Sequence, residues 1–172
     1  AGIQPPRVVQ QGMLRALIRL AWRYMVRNDP RAASVLDRAQ ICASSNEMPA
    51  ELEAKLLLAR GEYAHRQGQI ERAIEHTLRA MQIYERSDQQ HPLVRAWGSL
   101  AMLYGQAQDI DHALQYAQKV FAVAKLTRVD PETLAAIELN LGVAFFWRER
   151  LDEAIAHYQS AAQIALAAGL QT

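Results

Sequence analysis

The 172-residue chain has one cysteine, Cys42, so neither an internal disulfide nor a cysteine-rich metal site can form. Net charge is nearly absent too. Nineteen basic residues stand against eighteen acidic ones, and a balance of +1 gives no global field to draw nucleic acid or an anionic lipid surface. No apolar run approaches the roughly 18 residues that a bilayer span requires, so no membrane partner is expected. Strand signals are missing: Ile-Val-Thr clusters and Asn-Gly turns do not occur. The nucleophile elbow, the Walker loop and the dinucleotide fingerprint are absent, and with them the usual marks of an enzyme. His65, His76, His91, His112 and His157 lie far apart, none in a zinc-ligand spacing, and most read as surface histidines on helices. Neither cofactor nor metal is expected. A lone cysteine fits a reducing, cytoplasmic setting.

The first residues, AGIQPPRVVQQG, contain neither an initiator Met nor the charged and apolar regions of a secretory signal. Pro5-Pro6 reads as part of an extended leader over residues 1–13. The start suggests a piece cut from a longer protein.

What is present is a period. Small residues recur at Ala21, Gly61, Ala101 and Gly142, at steps of 40, 40 and 41, and again at Ala33, Ala73, Ala113 and Ala154 with the same steps. Within each unit the two small residues are separated by a polar break: RNDP, RQGQ, GQAQD or RERLD. Before each break apolar residues recur at helical spacing, as in Leu17, Leu20, Tyr24 and in Trp97, Leu100, Tyr104. After it, Ala73, Leu78 and Ala80, or Ala154, Tyr158 and Ala161, share a helical face. Pro49, Pro92 and Pro131 follow polar stretches and open the next helical pattern, where a missing N–H costs nothing. Asp130 is placed to cap the helix that Pro131 begins. The pattern predicts an all-α chain of about eight helices in four hairpins. Gly costs a helix about 1 kcal/mol relative to Ala, so Gly61 and Gly142 predict close helix contacts that offset the cost.

These residues resemble the tetratricopeptide repeat, whose signature is W-x2-L-G-x2-Y in a first helix followed by A-x3-F. WGSLAMLY (97–104), LIRLAWRY (17–24) and LNLGVAFF (139–146) carry the first half; ERAIEHTLRA (71–80) and DEAIAHYQSA (152–161) carry the second. Arg60 and Glu138 depart from the pattern, as do Asp37 and Gln40 in the first unit. The resemblance implies an α-α superhelix, a solenoid of four hairpins, forming a single domain over residues 14–172 with repeats near 14–48, 49–90, 91–129 and 130–172. The step of 40 residues resembles the long-period variant of bacterial signalling and regulatory proteins.

Such a stack implies a binding surface lined by the first helices. The expected partner-binding groove holds Arg19, Trp22, Lys55, Glu62, His65, Arg66, Arg95, Met102, Gln106, Asn140, Val143, Phe146 and Trp147, with Ile18, Met25, Leu58 and Ser99 in the same lining. One helix cannot bury Phe145, Phe146 and Trp147 against one neighbour, so at least one should face the groove. Trp147 is the candidate anchor, packing on the adjoining unit being the alternative. A two-carboxylate clamp of Lys and Asn, known in chaperone-tail receptors of the family, does not fit, because Lys55, Glu62, Ser99 and Met102 fill the region and Asn140 is the one amide. Arg15, Arg19, Arg23 and Arg27 recur every four residues beside Trp22, either as an acidic-partner or phosphate site or as a solvated face. Nucleic acid is a disfavoured partner.

The leading expectation is a protein-protein interaction module that takes a peptide or protein segment. The alternative is a sensory or regulatory input domain of a transcription regulator or diguanylate cyclase. The Ala-rich end, IALAAGLQT, has no polar capping helix, which makes the C-terminal helix a surface for pairing with another copy, as a homodimer.

Overall fold

A computed structural model describes residues 6–44, 48–87, 89–127 and 129–170. Among them lie eight helices and no strand: α1 (Arg7–Val26), α2 (Arg31–Ser44), α3 (Ala50–Arg66), α4 (Ile70–Arg86), α5 (Gln90–Gln106), α6 (Ile110–Thr127), α7 (Pro131–Trp147) and α8 (Leu151–Ala167). They form two compact units, residues 1–86 with α1 to α4 and residues 87–172 with α5 to α8. Helix α1 begins six residues after the expected extended segment starts, so residues 7–13 are helical rather than extended. Pro6 precedes it with extended backbone, and the rest of the expected leader, residues 1–5, lies outside the described residues.

The polar breaks share one geometry. A residue in the left-handed region follows the first helix of each hairpin: Asn28 (φ 51°), Gly68 (φ 72°), Gln108 (φ 59°) and Glu149 (φ 59°). The next N–H returns to a carbonyl five residues back, Asp29 to Tyr24, Gln69 to Ala64, Asp109 to Tyr104 and Arg150 to Phe145, at 2.9 to 3.1 Å. This closure satisfies a carbonyl that a helix end leaves open. The chain therefore reverses with the same step of about 40 residues that the small residues keep.

Proline acts at the starts. Pro131 is the first residue of α7, and the Asp130 carboxylate accepts from the Thr133 N–H at 2.7 Å, the expected cap. Pro49 immediately precedes α3. Pro92 is the third residue of α5, two residues later than expected, but still among the N–H positions that have no partner within the helix.

Seven of the eight small residues are buried, and the eighth corrects the sequence reading. Ala33 is half-buried, while Ala32 is only 2% exposed and takes its place. The cause is local. Ala32 N–H bonds to Asp29, three residues back, whereas Ala73, Ala113 and Ala154 each bond four residues back, so α2 begins one residue out of register. Its apolar face is complete nevertheless: Val35, Leu36, Ala39 and Ala43 are buried, with Asp37 and Gln40 outward, and the first pair is a full hairpin.

In the first unit Leu14, Leu17, Ala21, Leu36, Leu52, Leu56 and Ala59 share one core. In the second, Leu100, Ile137 and Leu141 are at most 1% exposed, each contributing about 1.5–3 kcal/mol by burial. The glycines mark where backbones meet. A Cβ on Gly61 would stand 2.9 Å from Thr77 Oγ1 on α4, and one on Gly142 would stand 2.6 Å from the Tyr158 ring on α8.

Candidate functional site

In the first unit most of the expected groove residues are already engaged. Lys55 pairs with Glu51 one turn earlier on α3. Glu62 pairs with Arg66 at 2.6 Å. The Arg66 guanidinium also donates to the Met25 carbonyl at 3.1 Å and lies 3.4 Å from Asn28 Oδ1, so it ties the end of α3 to the turn after α1. Arg66 thus clips α3 to the turn between α1 and α2 while staying exposed. Ile18 and Met25, also expected in the lining, are core residues at 6% and 2% exposure. Trp22 is half-buried against the same core. Leu58 and His65 are half-buried and Arg19 is exposed. Arg15, Arg23 and Arg27 are exposed with it.

A cleft of about 230 Å³ opens elsewhere in this unit, lined by Asp37 of α2, Arg60 and Tyr63 of α3 and Arg72 and His76 of α4. The sequence reading took most of the histidines for surface residues, and His76 departs from that. It is half-buried, and its Nδ1 has no hydrogen-bond partner among the described residues. Burial first, then the positive charge of Arg60, pushes this imidazole below its ordinary value of 6.5.

In the second unit, α5 and α7 lie side by side and leave a cleft of about 360 Å³ between α5 and the N-terminal end of α7. Arg95, Ser99 and Met102 line it from α5. Val129, Asp130 and Thr133 close the other side, and His91 stands at one end. Sequence reasoning treated Asp130 only as a cap and His91 only as a surface residue. Nothing local marks them as lining, since they reach the cleft only because α7 docks beside α5. The Asp130 carboxyl is opposed by desolvation, but hydrogen bonds from Thr133 hold it below the ordinary carboxylate range. The cleft thus offers one cation, one anion and apolar surface at Val94 and Met102.

The remaining residues sort by contact. Asn140 donates its amide to the Ala136 carbonyl at 2.8 Å within α7. Val143 is half-buried and Gln106 is exposed. Phe145 is 3% exposed, whereas Phe146 and Trp147 are 50% and 61% exposed and meet edge to face at 5.8 Å. Trp147 is therefore not buried by a neighbouring hairpin. Thr133 and Trp147 are fourteen residues apart on one side of α7, about 21 Å along the helix.

Departures from the repeat pattern also have partners. Glu138 is half-buried and accepts from Ser160 at 2.9 Å, with His157 Nδ1 2.6 Å away. His157, expected on the surface, stacks on Phe145 at 5.1 Å. Arg60 reaches Gln40 and Asp37 on α2 at 3.5 and 4.0 Å. Among the described residues there is no cluster of metal-binding side chains and no helix long and apolar enough to cross a membrane.

Residues 52–125 match the sequence profile of the tetratricopeptide repeat, which supports that family. No curated protein matches the chain in sequence. Among solved structures, the crystal structure of BtubC (BKLC) from P. vanneervenii is similar over 100% of this chain and 69% of its own, with a TM-score of 0.72 and 20% sequence identity. At that identity the likeness speaks to fold alone, and with the profile match it establishes an all-α helical-repeat solenoid.

Proposed function

We propose that this chain is a protein-binding repeat module that seats an extended or helical segment of a partner in the α5–α7 cleft. Repeats of the matched family generally mediate protein-protein interaction. The observation that carries the reading is the cleft itself: about 360 Å³, lined by Arg95, Ser99, Met102, Asp130 and Thr133. Mixed polarity of this kind suits a peptide whose backbone bonds to polar side chains while an apolar residue enters beside Met102. Trp147 supplies a second anchor, and a segment must be roughly seven extended residues long to touch both. A bacterial signalling protein and a cytoplasmic location belong to the same reading, supported by the forty-residue period and the single cysteine.

Panning a random peptide library on the chain tests it. Selected peptides should lose at least about tenfold in affinity, 1.4 kcal/mol, on Met102→Glu or Arg95→Glu with helix content unchanged by circular dichroism. Trp147→Ala should weaken only the longer peptides. If no peptide is enriched, or if both cleft variants bind as wild type, the reading fails.

A further inference from the structure

The cleft of the first unit gathers more positive charge than it neutralises. Three helices build it, with Asp37 from α2, Arg60 and Tyr63 from α3, and Arg72 and His76 from α4. Gly61 lets α4 approach, since the His76 Cβ stands 3.6 Å from the place that a Gly61 Cβ would occupy. The Arg60 side chain is only 29% exposed, while its ion-pair partner Asp37 is 4.0 Å away and 72% exposed, so water screens most of that carboxylate's field. Arg72 gives an N–H to the Gln69 side chain at 3.0 Å, a neutral partner. Glu71 and Glu75 of α4 are exposed and do not line the cleft.

We propose that this cleft binds a phosphoryl group, either as free phosphate or as the end of a small phosphate ester. Two guanidinium forks from different helices suit an oxyanion with several oxygens, because each fork donates in parallel to a pair of them. His76 lines the same cleft, and its Nδ1 is buried with no partner among the described residues, so the ring has hydrogen-bonding capacity that the fold leaves unused. Gln69 and Arg72 also bring the first turn of α4, the positive end of its dipole, to the edge of the cleft.

Charge favours a dianion over a carboxylate. Arg60 and Arg72 stand against Asp37 in the lining, two positive groups to one negative. A carboxylate would balance that difference and leave the imidazole without a role. A dianion needs one positive charge more, which a protonated His76 supplies. In the free chain burial first, then Arg60, with Arg79 and Arg72 adding and Glu75 opposing, holds the imidazole below 6.5. A seated dianion reverses the effect of those arginines and draws the proton on. At about 230 Å³ the cleft is smaller than the roughly 300–1,000 Å³ of most whole-ligand pockets, so it takes the phosphoryl group and the few atoms next to it.

Isothermal titration of the intact chain at about pH 6.5 with inorganic phosphate, free phosphoserine and acetate decides it. Phosphate should bind saturably with a Kd of about 1 mM or lower, and acetate at least about tenfold more weakly. Phosphoserine binding more tightly than phosphate assigns the site to an ester, and weaker binding assigns it to the free ion. Arg60→Gln and Arg72→Gln should each lose at least about tenfold in phosphate affinity with unchanged helix content, while Arg15→Gln, at an exposed site on α1, should bind as wild type. The His76 imidazole, followed by NMR, should titrate at higher pH in saturating phosphate. No saturable binding below about 10 mM phosphate overturns the inference, as does acetate binding equally well. So do affinity that survives both arginine substitutions and a His76 midpoint that phosphate does not move.

Discussion

His157 Nδ1 lies 2.6 Å from the Glu138 carboxylate, across nineteen residues of sequence, and ties α8 to α7 where the repeat pattern calls for a tryptophan. Both side chains are largely shielded, at 24% and 12% exposure. Glu138→Ala should cost about 1–2 kcal/mol by leaving His157 and Ser160 without their acceptor. Urea unfolding of both single variants and the double variant checks this. The double variant should lose less than the sum, and strict additivity would mean the pair contributes nothing.

Gly61 and Gly142 should resist alanine, although alanine is the better helix former by about 1 kcal/mol. The Thr77 hydroxyl is committed to the Ala73 carbonyl at 2.7 Å and cannot easily yield to a new Cβ on Gly61. We expect a net loss of about 1–2 kcal/mol at each site from overpacking. Gly12, with nothing within 4 Å of its Cβ position, is the control, and Gly12→Ala should gain about 1 kcal/mol. Thermal unfolding of the three variants separates close contact from helix propensity.

Gln108 and Glu149 adopt φ of 59° without being glycine. Replacing either by Gly should stabilise the chain by about 0.5–1 kcal/mol, since the left-handed region costs an ordinary residue about 1–2 kcal/mol. Gly68→Ala should do the reverse. A shift of the chemical unfolding midpoint in the opposite direction at either site would contradict the turn geometry.

Stability should fall on mild acidification because of His76. Burial holds its folded value below the ordinary 6.5, with Arg60 of α3 and Arg79 and Arg72 of α4 adding to the effect and Glu75 opposing it. The unfolded chain therefore takes up the proton first. This contribution is fully present above 6.5 and lost as pH drops through that value toward the lower folded one. His76→Gln should flatten that part of the profile, measured as urea midpoints between about pH 5 and 8. An unchanged slope would clear His76 of the role.

Much of this was legible in the residues. The step of 40, the polar breaks, the Asp130 cap and the tight contacts at Gly61 and Gly142 follow from local rules about which residues can turn, cap or approach closely. The misreadings have one origin. Ala33 was chosen over Ala32 because a one-residue change of register in α2 is set by hydrogen bonding to Asp29, which spacing does not show. The bond from Arg66 to the Met25 carbonyl spans 41 residues, so spacing could not show it. His157 looked exposed because its partners Glu138 and Phe145 lie on another helix.

The sequence by itself determined the helices, their reversal points and the repeat, because each depends on residues within a turn or two of one another. Only the tertiary structure decided which charges are spent, that Val129, Asp130 and Thr133 face Arg95 across a cleft, and that Arg60, Arg72 and His76 line another. Those outcomes depend on which helix comes to rest beside which, and packing between distant segments fixes that through contacts no short stretch of chain contains.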